Sequence, residues 1–283
     1  MLDEPRSGRL AAWGNALLAA LAPPDDAAQH IVGEDASHRV VGLPTSSGPY
    51  AGEEAEPVGL TLALGRLRSL GAQGLRVALP VPGHPLGLSG PPEFNSRALE
   101  AGEAVIATGT GTGLVPEVYE VGPAGDVHAE VLWHCLPVRE GPPADVPSLG
   151  EAERELAEAM REATDVLTKL DVAGSGPVAD AALEAYRARM EAGRRLLAPG
   201  YPPRAVRVLE LAQRVRVLVA IAYGDESGED GGGWGDGREH GGAVSASQIA
   251  ARAEALRPVE RTARRAQVAA YNAYAEELER KGL

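Results

Sequence analysis

Cysteine is almost missing from this chain of 283 residues, since Cys135 is the only one. One cysteine cannot form an intrachain disulfide, and nothing points to an oxidising compartment. Aromatic residues are also scarce, at 4% of the chain, with a single phenylalanine. Alanine, leucine and valine must therefore fill the core. Lys169 and Lys281 are the only lysines, so arginine supplies nearly all the positive charge.

The chain also lacks an excess of positive charge and a long apolar run. Its formal net charge is −13, which argues against non-specific nucleic-acid binding because neutralising phosphates requires clustered cations. No apolar run approaches the roughly 18 residues that a membrane-spanning helix needs. Leu10–Ala22 imitates a secretory signal, but Asp3 and Glu4 precede it and Gly14 lies inside it, which favours an amphipathic helix. We expect a cytoplasmic protein that binds neither nucleic acid nor membrane.

The pattern of apolar residues, glycine and proline changes near Pro142 and Pro143. Before this point, short β-type runs alternate with brief helical patterns, glycine and proline. After it, apolar residues recur at steps of three and four, which is typical of amphipathic helices. We therefore expect an α/β or α+β domain over residues 1–145, with a small mixed sheet and flanking helices. An antiparallel helical bundle of about five helices is expected over residues 146–283.

The clearest strand of the first half is Leu75–Val81, where apolar residues alternate with Arg76 and Pro80. Because Pro80 cannot donate to a ladder, we place it at the strand's end or on a sheet edge. Further strands are predicted at 38–43, 104–108, 115–121 and 127–136, the last two as an antiparallel hairpin. Helices are predicted at 8–22, 25–32, 58–70 and 93–101. Helical connections between short strands imply that part of the sheet is parallel.

The second half begins with a capping box formed by Ser148 and Glu151. A heptad seam runs from Leu149 to Leu170, and it can pack inside its own bundle or against a second copy of the chain. Further helices are predicted at 178–197, 204–223, 245–257 and 258–280, with Pro258 breaking the last two apart. Residues 224–243 contain nine glycines in twenty positions, which predicts a disordered insert.

Two loops that follow predicted strands carry the candidate ligand site. The first runs from Pro82 through His84 to Asn95. The second consists of Thr108, Gly109, Thr110, Gly111 and Thr112. Ligands of open parallel sheets bind outside the carboxyl ends of strands, so the two loops can share one crevice for a phosphate or carboxylate. Neither the P-loop nor the dinucleotide fingerprint is present, and a flexible connection is the competing interpretation.

Other reactive residues do not form a metal site in this sequence. His128 and His134 are roughly 20 Å apart along one predicted strand, and Cys135 faces away from His134. We therefore predict no metal and a buried, inert thiol. A different functional surface is the last helix, where three arginines can face an acidic protein partner: Arg261, Arg264 and Arg265. Packing against the acidic helices of the same bundle would explain these arginines equally well.

The block Leu75–Pro85, together with Phe94-Asn95, Ala98–Val105 and Arg264–Ala273, resembles uncharacterised proteins of high-GC actinobacteria. The resemblance spans much of the chain. It implies a bacterial cytoplasmic setting, and it implies no activity, cofactor or catalytic residue.

We expect a non-enzymatic interaction or regulatory protein without a cofactor. Its helical half would present a surface to a protein partner or to a second copy. This hypothesis is motivated by a well-formed amphipathic bundle in a sequence that shows no paired acid and base residues. The alternative is an enzyme or small-molecule binder that holds an anionic ligand in the crevice near His84 and Thr108–Gly113.

Overall fold

The computed structural model describes residues 4–44, 56–123, 126–139, 141–169, 197–224 and 246–281. The chain divides into two units. The sheet unit consists of Asp3–Val146, Leu197–Val206 and Val268–Leu283. The helical unit consists of Met1–Leu2, Pro147–Leu196 and Arg207–Gln267. The sheet unit therefore takes in two segments from the second half of the sequence.

The sheet unit contains six strands and four helices that precede residue 146. In chain order these are α1 (Arg6–Leu18), α2 (Pro24–Val32), β1 (Ser37–Val41), β2 (Val58–Gly59), α3 (Leu60–Ser69), β3 (Gly74–Ala78), α4 (Pro92–Ala101), β4 (Ala104–Thr108), β5 (Thr112–Val121) and β6 (His128–Pro137). The strand order is β2-β1-β6-β5-β4-β3. Strands β1 and β6 are parallel, and the other neighbours are antiparallel. The expected mixed sheet with flanking helices is confirmed.

Helices cover both faces of the sheet, and glycines let them approach closely. Helix α1 lies against β3, where a Cβ at Gly14 would come within 2.3 Å of Leu75 Cδ1. On the opposite face, α4 packs against β5, and a Cβ at Gly113 would come within 2.4 Å of Phe94 Cε2. Phe94 belongs to an apolar cluster with Ala98, Ile106 and other buried residues. The core therefore depends on small residues in the sheet and α1 rather than on many aromatics.

Two asparagine side chains cap the outer edge of β3. Asn15 in α1 donates from Nδ2 to Leu75 O at 2.9 Å, and its Oδ1 accepts from Leu75 N at 2.7 Å. Asn272, in the C-terminal segment of the sheet unit, makes the same two bonds to Val77, at 3.0 Å and 2.6 Å. Each amide therefore takes the place of a peptide group in a neighbouring strand. Both asparagines are completely buried.

The loop that follows β3 covers the rest of this edge. Leu79 N donates to Leu86 O at 3.0 Å, and Val81 N donates to His84 O at 3.0 Å. The outward backbone donors of the edge are thus paired from Leu75 to Val81, so β3 offers no open edge to another chain. Pro80 follows the end of this edge strand, which confirms its predicted place.

The helical unit is built on α5 (Leu149–Lys169), most of α6 (Pro203–Gly224) and the first part of α7 (Ala246–Lys281). The capping box is confirmed, since Ser148 N donates to Glu151 Oε2 at 3.0 Å and Glu151 N donates to Ser148 Oγ at 3.4 Å. Along the predicted seam, Leu156 is fully buried and its alanine neighbours are nearly so. None of the described helices is both long and apolar enough to span a membrane.

The bundle of about five helices is not confirmed. The described residues after 146 form three helices, because α7 continues through Pro258 where a break was predicted. A proline inside a helix costs about 3 kcal/mol, and the burial of Val259, Ala263 and Ala266 beyond it offsets that loss. The predicted helix at 178–197 and the insert at 224–243 lie outside the described residues, apart from Leu197 and Gly224.

Replacing Asn272 with leucine tests the contribution of edge capping to stability. The variant leaves Val77 N–H and C=O buried without partners, and each such group costs about 1–3 kcal/mol. We expect the free energy of unfolding, measured by urea denaturation, to fall by about 3 kcal/mol. Asn95→Ala is the matched control, because the half-buried Asn95 accepts one hydrogen bond, from Gly90 N. Equal losses in the two variants would contradict a stabilising role for the capped edge.

Candidate functional site

The strands that precede the two candidate loops, β3 and β4, are antiparallel. Gly74 pairs with Thr108 and Ala78 pairs with Ala104, so Thr108 lies beside the start of β3 whereas His84 follows its end. The expectation that both loops meet outside the carboxyl ends of parallel strands is therefore wrong. An alternating apolar pattern is the same in parallel and antiparallel strands, so it could not separate the two arrangements.

The loop after β3 nevertheless turns back toward β4. Gly87 N in this loop donates to Ala144 O at 2.8 Å, which fixes the returning segment. Gly87 and Ser89 line a cleft of about 200 Å³ together with Thr108 and Gly109. The two predicted loops thus share a cleft, although they reach it by a route that the parallel-sheet argument did not foresee.

Charged side chains and the apolar Ile106 both line the cleft. Arg76 in β3 binds Glu279 in α7 through two hydrogen bonds, from Nε to Oε1 at 2.8 Å and from Nη2 to Oε2. Arg139, after β6, also lines the cleft. Within the described part of the chain, its guanidinium has no hydrogen-bond or ion-pair partner. Ile106 contributes an apolar surface that continues into the cluster around Phe94.

Of the predicted crevice residues, Thr108 and Gly109 line the cleft. Five others do not: His84, Asn95, Thr110, Gly111 and Thr112. Several of them hold the local backbone instead. Thr110 Oγ1 donates to Ala107 O at 2.7 Å, and Gly111 O accepts from Val138 N at 2.8 Å. His84 Nδ1 lies 3.9 Å from the nearest carboxylate oxygen of Asp145.

Sequence reasoning missed the charged residues of the cleft. Arg76 was visible only as the polar member of an alternating strand, and an arginine there is usually solvated. Its partner Glu279 is 203 residues away in the chain, a separation at which no local pattern exists. Arg139 follows β6, and in that strand only the histidines and the cysteine suggested a reactive site from the sequence. The alternation of apolar and polar residues around Arg76 was the only sequence pattern that pointed to a charged residue of the cleft.

The three arginines proposed as a partner surface differ in their surroundings. Arg265 donates from Nη1 to Glu155 Oε2 at 2.5 Å, inside the helical unit. Arg264 is half-buried, and burial lowers the pKa of its guanidinium against the opposing charge of Glu260. Arg261 is exposed. Packing between basic and acidic helices therefore accounts for Arg265, whereas a role of Arg261 and Arg264 at a partner surface stays a prediction.

The cysteine and the histidines of β6 lie in separate surroundings. Burial raises the pKa of Cys135 to about 12, so its thiol stays protonated at neutral pH and is a poor nucleophile. His134 Nε2 lies 2.7 Å from Glu117 Oε2, and His128 Nε2 lies 3.0 Å from an Asp126 carboxylate oxygen. In the described ranges, no three side chains of His, Cys, Asp or Glu are grouped so that they could hold a metal ion.

A buried ionic network joins α1 to β1 and β6; we call it the Asp35 network. Arg6 donates to the Asp35 carboxylate from Nε at 3.0 Å and Nη2 at 2.7 Å, and Arg9 Nη2 donates at 2.5 Å. His38 Nε2 lies 2.9 Å from the same carboxylate. Trp133 Nε1 donates to His38 Nδ1 at 3.3 Å, which places the His38 proton on Nε2. His38 and Trp133 are buried, so this Asp–His pair is structural.

The charge of Asp35 is held by its partners. Burial raises the pKa of the carboxyl, but hydrogen bonds from His38 and Arg6 and the charges of Arg6 and Arg9 outweigh burial. The pKa therefore lies well below its ordinary value. A carboxylate in this state contributes stability at neutral pH, and its protonation at low pH removes that contribution.

The distal half of β5, Glu117–Val121, is exposed and extends beyond β4. Strand β4 pairs with β5 only at Thr112–Leu114, whereas β6 pairs with β5 as far as Val121. Among the described residues, no strand lies beside Glu117–Val121 on the β4 side. Val118 and Tyr119 are both 43% exposed. We call this segment the open β5 edge.

These features define an α+β protein with a small polar cleft, one sealed sheet edge and one open strand edge. The chain belongs to the Rv1486c-like family. It matches the N-terminal domain of the Rv1486c-like protein over residues 7–147 and the C-terminal domain over residues 150–268. The expected resemblance to uncharacterised actinobacterial proteins is therefore confirmed.

Two mycobacterial relatives illustrate the similarity. The chain is 32% identical to the uncharacterized protein Rv1486c of Mycobacterium tuberculosis (strain ATCC 25618 / H37Rv), over 76% of this chain and 82% of that one. It is 30% identical to the uncharacterized protein ML1804 of Mycobacterium leprae (strain TN), over 93% of this chain and 95% of that one. No solved structure matches the chain.

Replacing Asp35 with asparagine tests the Asp35 network. The variant leaves two partly exposed guanidinium groups without their carboxylate, so the loss should be at most about 3 kcal/mol, the low end for a broken buried pair. We expect that loss at pH 7 in urea unfolding. The folded pKa is below the unfolded value of about 3.9, so the stabilisation is present above that pH and is lost as pH falls through the folded pKa. The gap between the two proteins should therefore be smaller at pH 3.

Asp126→Asn is the control for this prediction, because Asp126 is an exposed carboxylate whose histidine partner is also exposed. We expect it to change the unfolding free energy much less than Asp35→Asn does. A gap between wild type and Asp35→Asn that stays constant from pH 7 to pH 3 would contradict the assigned charge state.

Proposed function

We propose that this protein is a non-enzymatic interaction protein, and that an extended segment of a protein partner adds as a strand to the open β5 edge. The observation that carries the proposal is a strand that continues past its neighbour with its outward side uncovered by the described residues. Such edges bind extended peptides by main-chain hydrogen bonds, while alternate side chains give specificity.

The outward backbone groups of the open β5 edge follow from the alternation of the ladder. The backbone N–H groups of Leu75 and Val77 point away from β4, since they donate to Asn15 and Asn272. Alternation across β4 then directs the N–H and C=O groups of Val118 and Glu120 away from β6. These two residues offer two donors and two acceptors to an added strand.

Pro116 marks the start of the open edge. It lies two residues beyond Leu114, the last β5 residue that pairs with β4, at a position whose N–H would face outward. Proline has no such donor, so the ladder with β4 ends there without an unpaired N–H. The residues after Pro116 carry donors, which restores an edge that can pair.

Side chains of the open edge favour an apolar and basic partner segment. Val118, Tyr119 and Val121 are between 36% and 43% exposed, and such side chains bury apolar area when a strand is added. Glu117 precedes these residues, and Glu120 lies between Tyr119 and Val121. Hydrogen bonds from Tyr119 and His134 hold the pKa of Glu117 below its ordinary value, so it remains negative at neutral pH.

Self-association by this edge is the less favourable arrangement. Two copies would bring Glu117 and Glu120 of both chains to one short interface, and the chain already carries a net charge of −13. Like charges across strands are destabilising. A basic segment from a different protein removes that repulsion, and charge attraction would speed its association.

A labelled eight-residue peptide of alternating valine and lysine tests the proposal by fluorescence anisotropy. We expect saturable binding to the wild type and none to the matched valine and glutamate peptide. Val118→Pro should weaken binding at least tenfold, about 1.4 kcal/mol. The variant removes an outward N–H and places a ring in the path of the added strand, yet it leaves the β6 ladder intact.

Val118→Thr is the control, because threonine keeps the N–H and the preference for a strand. We expect its affinity to stay within about threefold of the wild type, and the melting temperatures of both variants report that the fold is retained. Equal binding of the two peptides, or unchanged affinity in Val118→Pro, would exclude strand addition at this edge.

A further inference from the structure

The cleft beside β3 contains more arginine than carboxylate among its described lining residues. It is lined by two arginines, Arg76 and Arg139, and by one carboxylate, Glu279. These described lining side chains have a balance of +1, whereas the whole chain has −13. Arginine side chains in this cleft favour an anionic ligand, because the low-dielectric walls of a cleft focus the local electric field.

The two guanidinium groups differ in what they offer. Arg76 uses two of the five guanidinium N–H groups for Glu279, which fixes its orientation and leaves three. Arg139 has an exposed side chain without a partner in the described part of the chain. A planar carboxylate fits such a pair, because guanidinium groups bind carboxylates through parallel N–H bonds. Glu279 repels an anion less than a free carboxylate would, since Arg76 already neutralises it.

The hydroxyl oxygens that line the cleft can accept hydrogen bonds from a ligand, because their protons are already donated to the protein. Ser89 Oγ donates to Arg139 O at 3.0 Å, and Thr108 Oγ1 donates to Gly74 O at 3.2 Å. Each hydroxyl has one proton, so both oxygens keep lone pairs that can accept from a ligand. A ligand that carries a hydroxyl donor beside its carboxylate would satisfy these oxygens.

The size and shape of the cleft limit the ligand. Its volume of about 200 Å³ is below the range of about 300–1,000 Å³ that is usual for sites of drug-sized molecules. Gly109 in the lining has a φ of +83°, and a Cβ there would come within 2.8 Å of Gly71 O. This volume favours a small metabolite over a nucleotide or coenzyme.

We propose that the cleft binds a small hydroxycarboxylate. Arg139 and the free N–H groups of Arg76 hold the carboxylate, and the hydroxyl donates to Ser89 or Thr108. Ile106 contacts the carbon chain. This site is distinct from the open β5 edge, and it does not depend on strand addition there.

Titration with sodium L-lactate, followed by the backbone amide signals of Gly87, Gly109 and Gly141 in NMR spectra at constant ionic strength, tests the proposal. We expect saturable shifts at millimolar lactate. Propane-1,2-diol, which lacks the carboxylate, should give none, and inorganic phosphate should bind more weakly than lactate. Arg139→Ala should weaken lactate binding at least tenfold, because it removes charge-assisted hydrogen bonds.

Arg68→Ala is the matched control, since Arg68 is an exposed arginine on α3 that does not line the cleft. Its lactate affinity should stay within twofold of the wild type, which separates a specific contact from the loss of one positive charge. Linear, non-saturating shifts, equal shifts with the diol, tighter binding of phosphate, or unchanged affinity in Arg139→Ala would each overturn the assignment. Val118→Pro should leave the lactate titration unchanged, so this test and the peptide test fail independently.

Discussion

The pairing of two asparagine amides with the outer edge of β3 is the interaction on which much of this structure depends. A sheet edge with free N–H and C=O groups is a hazard in water and a cost when buried. Asn15 and Asn272 remove both problems by supplying peptide-like groups from helices. The bond to Asn272 also brings the end of α7 to β3, and this places Glu279 against Arg76. The helix that supplies Asn272 to the edge of β3 thus also supplies Glu279 to the polar cleft.

The outer edge of β3 and the open β5 edge differ in whether their outward backbone groups have partners. The outward backbone donors from Leu75 to Val81 find partners, whereas Glu117–Val121 continues beyond β4 without a described neighbouring strand on that side. The fold thus pairs the outer edge of β3 and leaves part of β5 without a described neighbouring strand. The open β5 edge is acidic and partly apolar, which are properties that select among partner segments. The helical unit, by contrast, uses Arg265 within its own packing.

Local patterns in the sequence predicted most elements of the fold. Alternation over Leu75–Val81 and the Ser148 capping box each depend on neighbours a few residues away, and the corresponding elements are present. Strand direction was not predictable in the same way, since β3 and β4 read alike in either orientation. Pro258 was misjudged because its cost is visible in the sequence, whereas the burial that offsets it depends on tertiary packing.

The candidate cleft was predictable only in part, and the reason is distance along the chain. Thr108 and Gly109 stood out as a polar turn after a strand, but the ion pair that shapes the cleft joins residues 203 positions apart. Asn15 is a polar residue within the apolar segment Leu10–Ala22, and the sequence shows no strand beside it. A buried amide that binds backbone leaves no periodic signal, so its role appears only when the strand beside it is known.

Hydrogen exchange of individual backbone amides tests the contrast between the sealed and the open edge most directly. We expect the amides of Leu75 and Val77 to exchange only through global unfolding, because Asn15 and Asn272 hold them in the core. The outward amides of Val118 and Glu120 should exchange far faster. Rapid exchange at Leu75 and Val77, or equal protection at all four amides, would contradict the account.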